Sequence, residues 1–489
     1  MIENRAHRRA VRRLIRRVQG TSFVRCDRKT TDRRILGHAA IYTLPDELLL
    51  EIFYFSMWRS GDWETLVHVC QRWRSIVLSA PHRLRLRLVC TGRTPVRERL
   101  YIWPILPIVL RVLGGFYGTD DNIIAALEHR DRIYEIYFDC VSNDELERLA
   151  GAMEVSFPTL TSLYLNSIGT TAPSFSESFL GGSGPNLQSL CLKNAAFPAL
   201  VDLLLSAKHL VNLSLSDITR STYETMVDCL SSLTWLETLL VEFRSSHHRP
   251  YRASRRPAPT TRTVLSKLTS LTFQGVMGYL DHLFTHMDAP FLEDFDILFF
   301  NPVGFNDLQL SPFIVRTKTF EGFNQTHMNF RDGFLDVILS RTTGGMSLTL
   351  ATAWTDSAWE LWSLTQDCPF SPPRTYLFDY RYLPPWTKDM GFTPWLEVFR
   401  ILSTVENLYL SDGVMLCIAP ALLELTGEGV AEVLPALQNI FINRLPTCAA
   451  GIIREVMERF VVARELSGHP VVVNIDELKK RIFGRSMDD

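Results

Sequence analysis

The sequence predicts an α/β chain in which a helical N-terminal segment precedes short parallel strands that alternate with helices. Three observations predict it. The pattern apolar-x-x-apolar-x-apolar recurs between residues 133 and 442, always on a run long enough for one short strand. Helix-period segments such as TYETMVDCLSSL and AFPALVDLLLSA lie between the matches. Residues 44–77 carry apolar positions at helical spacing, interrupted at Gly61 and followed by Pro81.

The totals bound what such a chain can be. At 489 residues, 46% hydrophobic and 21% charged, it can bury a sizeable core, in one large domain or two to three smaller ones. The net charge of −2 is unevenly spread: residues 1–38 hold eleven Arg and one Lys against Glu3, Asp27 and Asp32, a local +9, which leaves −11 for the rest (−2 minus +9). Nine widely spaced cysteines, with no CxxC and no Cys/His cluster at zinc-finger spacing, suit free thiols in a reducing compartment. The longest apolar stretch, YIWPILPIVLRVLGGF, is broken by Pro104, Pro107 and Arg111, so no membrane span is expected. Without an apolar signal-peptide core, the expectation is a soluble intracellular protein.

The elements follow in chain order. Residues 1–38 place Arg5, Arg8, Arg9, Arg12, Arg13, Arg16 and Arg17 opposite Val11, Leu14, Ile15 and Val18, a basic amphipathic helix read as a solvated, flexible extension. In residues 39–90, Thr43 with Asp46 resembles a capping box, and Pro45 falls in the first helical turn. Leu48, Leu49, Ile52 and Phe53 form one stripe, yet Leu50, Tyr54, Phe55 and Met57 cover much of the remainder. From Asp62, a candidate N-cap, Trp63, Leu66, Val69, Cys70, Trp73, Ile76 and Val77 continue at 3.6-residue spacing as one long helix or two short ones. A helix that is apolar nearly all round must be buried nearly all round, and about fifty residues cannot enclose it. Either the rest of the chain or another protein has to cover the spare face.

Residues 91–129 read as linker and cap. The strand matches then begin at residues 133, 160, 187, 210, 236, 268 and 292, separated by 27, 27, 23, 26, 32 and 24 residues, with two more at 405 and 437. Such spacing is the length of a leucine-rich repeat, so residues 130–480 are expected to form an irregular leucine-rich-repeat-like solenoid of one strand and one helix per repeat. Ile168, Ala195 and Ile218 stand where such repeats usually carry asparagine. Residues 300–400 fall in no register, although TTGGMSLTLAT holds a candidate strand. Near the end come a helix closed by Gly468, a strand at 471–475 and a short cap, with residues 481–489 as a tail. The 32-residue interval is explained by an insertion at 244–262 with six Arg, two His, three Pro and no acidic residue, a solvated basic loop.

Chemistry-bearing motifs are missing. GxxxxGK[ST], GxGxxG after a strand, HExxH and GxSxG do not occur, and GGSGP at 181–185 misses the nucleophile elbow because Pro185 takes its last position. His282 and His286, flanked by Asp281 and Asp288, have no third ligand at a metal-binding spacing and read as surface histidines. No enzyme, metal or cofactor is expected. What remains is a binding surface. The residue between the two inward positions of each match points to the open face of the strands: Tyr137, Tyr164, Cys191, Ser214, Leu240, Thr272, Asp296, Tyr409 and Phe441. Aromatics at both ends are candidate anchors for a protein substrate.

Leu44-Pro45, Leu48-Leu49, Ile52-Phe53, Trp63, Leu66, Val69-Cys70 and Trp73-Arg74 together resemble an F-box. The following RLRLRLVCTGRTPVRERLYIWPILPIVL and the later ERFVVARELSGHPVVV are similar to the F-box proteins of mushroom-forming fungi, so the likeness extends over most of residues 41–480. The resemblance implies a non-catalytic substrate receptor of a Skp-cullin-F-box ubiquitin ligase, in the cytoplasm or nucleus. It implies that Leu44, Pro45, Leu48, Leu49, Ile52 and Phe53 lie at or beside a Skp-type adaptor, that Val69, Trp73 and Ile76 complete or brace that face, and that the repeats choose the substrate. A non-enzymatic scaffold, or a nucleic-acid-associated protein using the Arg-rich N-terminus, is the alternative; nucleic acid is not the expected partner.

Overall fold

A computed structural model describes residues 44–475 except 57–61, 115–119, 170–171, 174, 196, 199, 245–261, 301–309, 318, 320–324, 332–333, 341–346, 354–373, 381–394, 397–398, 401, 426–432 and 443–449. The expected Arg-rich extension, Thr43, nearly all of the basic loop and the C-terminal tail lie outside the described residues. The chain divides into two compact units between Asn186 and Leu187.

The first unit opens with three helices, α1 (Asp46–Ser56), α2 (Asp62–Val67) and α3 (Gln71–Ser79). The segment expected as one helix or two is two, because Cys70 adopts an extended conformation between them and its sulfur accepts from the Trp73 amide at 3.5 Å. The start of α1 is tied to α3 by Arg72, which donates to the Leu44 carbonyl at 2.5 Å and to Asp46 at 2.6 Å. That clamp orients α1 so that Leu49 and Phe53 are buried, with Phe53 packed 4.7 Å from Trp73. Trp63, 1% exposed, donates its indole N–H to the Arg87 carbonyl at 2.7 Å and meets Trp103 edge-on, which fixes α2 to the chain entering the first strand.

Strands and helices then alternate: β1 (Leu88–Thr91), α4 (Val96–Ile102), β2 (Ile108–Leu113), α5 (Asp120–Leu127), β3 (Ile133–Val141), α6 (Asn143–Gly151) and β4 (Ser162–Ser167). All four strands pair in parallel, in the order β1-β2-β3-β4. The stretch expected to be linker and cap, residues 91–129, therefore already holds strand β2 between two helices, and β1 ends at its first residue. Pro104 and Pro107 disguise this in the sequence, since both fall in the connection between α4 and β2 rather than inside an element. Helix α6 shows why such segments are helical: Ser142 caps it from the side chain, Asp144 and Glu145 sit in its first turn, and Leu146 and Leu149 are buried one turn apart.

The second unit continues with β5 (Ser189–Lys193), α7 (Leu200–Ser206), β6 (Asn212–Ile218), α8 (Arg220–Cys229), β7 (Thr238–Phe243), β8 (Thr263–Val264), β9 (Ser270–Gly275), α9 (Met277–His286), β10 (Met287–Asp288), β11 (Asp294–Phe299) and α10 (Leu310–Arg316). After them come β12 (Gln325–Arg331), β13 (Phe334–Ser340), β14 (Ser347–Ala353), β15 (Thr375–Tyr380), β16 (Asn407–Leu410), α11 (Asp412–Glu424), β17 (Asn439–Ile442), α12 (Ala450–Leu466) and β18 (Val472–Ile475). Its sheet runs β5-β6-β7-β9-β11-β14-β13-β12-β15-β16-β17-β18, with β8 and β10 paired separately. Parallel pairing is the rule, and β13 is the exception, antiparallel to both β12 and β14. One strand and one helix per repeat therefore fails where residues 300–400 resisted any register. There the chain runs past the position beside β11, forms β12, and returns through β13 to place β14 against β11.

One row of residues crosses the second unit as its apolar floor: Leu190, Leu213, Leu239, Leu271 and Phe295 are register partners and all are buried to 0% exposure. Helices cover it through aromatic contacts, with Tyr279 of α9 stacked on Phe243 of β7 at 4.4 Å and Phe284 of α9 packed edge-on against Phe295 of β11. In the first unit Trp63 is a buried side chain with both a hydrogen bond and a ring contact. Replacing it by alanine removes a fully buried ring and its hydrogen bond, so Trp63→Ala is expected to lower folding stability by about 3–5 kcal/mol, read as a lower urea midpoint, whereas Trp235→Ala at the half-exposed Trp235 changes it by less than about 1 kcal/mol.

Candidate functional site

The packing of α1 decides which of its apolar residues stay open. Leu49 and Phe53, with Trp73 and Ile76 of α3, are buried inside the first unit, so four of the nine residues expected at an adaptor face are closed to a partner. Leu44 and Ile52 are half-buried, Pro45 is exposed, and Leu48 is 51% exposed. Phe55, 42% exposed, extends this set although the F-box resemblance did not single it out. The signal was present in the spacing: 45, 48, 52 and 55 stand at i, i+3, i+7 and i+10, one stripe on a helix. Val69, 43% exposed, adds an apolar side chain at the turn between α2 and α3. Elsewhere on α1, Asp46 pairs with Arg72 and Glu51 with Arg83, while Tyr54, 42% exposed, is a further open aromatic.

A second surface lies on the strands of the first unit. Thr91, Arg111, Tyr137 and Tyr164 are successive register partners, and the Tyr137 and Tyr164 rings stack at 4.3 Å with 16° between their planes. Next to them β3 bulges, because Asp139 and Cys140 lie between the pairs Phe138↔Leu165 and Val141↔Ser167. Cys140 takes a left-handed conformation, φ 55°, and its carbonyl closes on the end of β2, where a Cβ on Gly114 would stand 1.5 Å from that oxygen. Glycine alone fits there. The bulge turns Asp139 towards Asn166, which donates to it at 2.7 Å, and towards the Tyr164 hydroxyl at 3.3 Å. The Asn166 hydrogen bond in the first place, against a smaller desolvation penalty, holds the Asp139 carboxyl below the usual carboxylate range. Tyr137 is pushed up, first by burial and then by the Asp139 charge. Arg111 faces Glu135 at 3.7 Å.

In the second unit the remaining candidates line up. Cys191, Ser214, Leu240, Thr272 and Asp296 are register partners in one row. The row continues through Thr349, Ile338, His327 and Leu377, which the unreadable interval concealed, to Tyr409 and Phe441. Asp296 is exposed and the other named candidates are half-buried, the exposure expected of a sheet face without a helix over it. Tyr409 and Phe441 stack at 4.3 Å and 11°, and beside them Asn439 donates to Asn407 at 2.9 Å. The aromatic positions expected at each end thus form a stacked pair within each unit.

The histidine pair departs from the surface reading. His282 and His286 are both half-buried on α9, their rings 4.3 Å apart, with the buried Tyr223 hydroxyl 3.4 Å from His282 Nδ1. Burial in the first place, then the neighbouring His286, lowers the His282 pKa to about 4, against smaller opposing effects of Glu224 and Asp228. Among the described residues no group of three His, Cys, Asp or Glu is placed to hold a metal ion, and no helix is long and apolar enough to cross a membrane. No family model matches the sequence, and the curated proteins give no significant match.

A histidine whose folded pKa lies below its ordinary 6.5 contributes stability that is complete above that value and is lost as pH falls towards about 4. The acid limb of the stability curve between pH 6.5 and 4.5, measured by urea denaturation, is therefore expected to be shallower in His282→Gln than in the unaltered chain.

Proposed function

We propose that this chain is the substrate-recognition subunit of a Skp-cullin-F-box type ubiquitin ligase. In this reading α1–α3 form an F-box whose open stripe docks on a Skp-type adaptor, the strands that follow belong to a leucine-rich-repeat-like solenoid, and their open face receives a protein substrate. The chain makes and breaks no bonds. It raises the effective concentration of a substrate lysine near the conjugating enzyme that the cullin scaffold brings.

The observation that carries the reading is the apolar stripe of Pro45, Leu48, Ile52 and Phe55, left facing out after Leu49 and Phe53 have been buried. Burying the exposed half of one leucine-sized side chain contributes about 1 kcal/mol. Four such positions supply a useful core for a complex, but a stable interface needs about 800 Å² on each partner. An adaptor must therefore reach beyond α1, and Val69 offers the adjacent apolar contact.

The test separates docking from folding. Pro45→Ala combined with Leu48→Ala is expected to weaken adaptor co-purification at least about tenfold, equivalent to about 1.4 kcal/mol, while the urea midpoint stays unchanged because neither side chain is buried. Undiminished recovery of the adaptor by this double variant rules the reading out.

A further inference from the structure

Core packing gives no reason for the most open apolar side chains of the first unit. At the end of α4 and in its connection to β2, Tyr101, Ile102 and Ile105 are 91%, 68% and 85% exposed, and Pro104 between them is exposed as well. Tyr101 and Ile105 are the two most open large apolar residues among those described. The tip they form is nonetheless braced. On one side Arg99 of α4 pairs with Glu64 of α2 and donates to the Val89 carbonyl at 3.0 Å. On the other, Leu106 is buried and its carbonyl accepts from Arg132 at 2.9 Å. Between these anchors the half-buried Trp103 stands edge-on to Trp63 at 5.0 Å and to His68 at 6.0 Å.

These contacts set the tip on α2, next to the turn where His68 and Val69 are both exposed. One apolar path therefore leads from Val69, past the His68 and Trp103 rings, to Ile102. An anionic membrane surface is the poorer occupant, because Arg97 and Arg99, the basic residues of α4, already face Glu128 and Glu64 and leave no cationic collar on that helix. A protein with an apolar cleft is the better one. The stripe of α1 falls short of the roughly 800 Å² that a stable interface takes from each partner, and a braced tip docks without the entropy loss of ordering a loop. We infer that the Tyr101–Ile102–Ile105 tip is a second contact for the protein that docks on α1, the Skp-type adaptor spanning both. This rests on the receptor reading given above and names where its partner reaches beyond the three N-terminal helices.

The full chain is titrated calorimetrically with a purified Skp-type adaptor. The triple variant Tyr101→Ser, Ile102→Ser, Ile105→Ser is expected to lose at least about tenfold in affinity with its urea midpoint unchanged, whereas Leu466→Ser, a comparably open position of the other unit, loses less than about twofold. Contact is read separately, in a chain whose tip is otherwise intact: benzoylphenylalanine placed at position 101 should photo-crosslink to the adaptor. Undiminished affinity of the triple variant, while Pro45→Ala with Leu48→Ala weakens binding, overturns the inference and leaves the receptor reading intact. Loss of affinity without any crosslink from position 101 overturns it too, since the effect is then indirect. An unaltered chain that binds no adaptor overturns both. Two other occupants have their own signatures: a dimer of the unaltered chain that becomes a monomer in the triple variant by light scattering, or cosedimentation with phosphatidylcholine and phosphatidylserine vesicles that the triple variant abolishes. Either one, with adaptor affinity unchanged, gives the tip to that occupant and ends the adaptor assignment.

Discussion

A parallel strand cannot reach its neighbour through a tight turn, and most of this protein follows from that restriction. The connection has to cross the sheet, which takes about a dozen residues or more and usually a helix. Each repeat consequently needs a strand with one buried row and a helix with one buried stripe. Leu190, Leu213, Leu239, Leu271 and Phe295 supply the row in the second unit, and residues such as Leu203, Leu204, Tyr223, Met226, Leu280 and Leu283 supply the stripes. Helices of seven to ten residues would be marginal in isolation. They persist because they cover the row, and the row persists because they cover it.

The same restriction leaves the opposite face of the strands unclaimed by the core. Residues there have neighbours on either side in the ladder and no described helix of the repeats packed on them, and Tyr137, Tyr164, Ser214, Thr272 and Phe441 are all half-buried whatever their chemistry. Their identities can vary without disturbing the leucines beneath. The antiparallel trio β12-β13-β14 breaks the pairing rule but not this one, since β14 joins β11 in the same register that a parallel successor would have used. Thr349 takes its place in the row beside Asp296.

How much of this could be read beforehand depended on which residues carried a period. The apolar triplets predicted strands β3 to β7, β9, β11, β16 and β17, along with the outward residue of each, because the buried row must be apolar and the alternation of two is strict; the two-residue strands β8 and β10 are too short to carry such a pattern. Helix α12, Gly468 with φ 81° and strand β18 were legible from the cap and the apolar run. Strands β1 and β2 were hidden because prolines next to them mimic a linker. Strand β14 answers to the candidate strand in TTGGMSLTLAT, but β12, β13 and the register of the trio were hidden because a hairpin needs no helix, and the repeat interval on which the register relied disappears. The Asp139–Cys140 bulge had no sequence signal at all: it depends on Gly114 of another element, 26 residues away, leaving room for the Cys140 carbonyl. Likewise the sequence showed that α1 had surplus apolar surface but not which part would stay outside, since the choice is made by Arg72 gripping Leu44 and Asp46.

That grip bears on why the open stripe of α1 is apolar. Helix α1 is held by the buried Leu49 and Phe53, by the Arg72 clamp and by the pair between Glu51 and Arg83, none of which involves Pro45, Leu48 or Phe55. A polar residue at 48 would satisfy the same helix and remove part of a patch that invites non-specific association. The buried packing of α1 therefore gives no reason for a leucine at this position. The open patch is a cost to an isolated chain, and it loses that cost when a partner with a complementary apolar surface comes to rest on it.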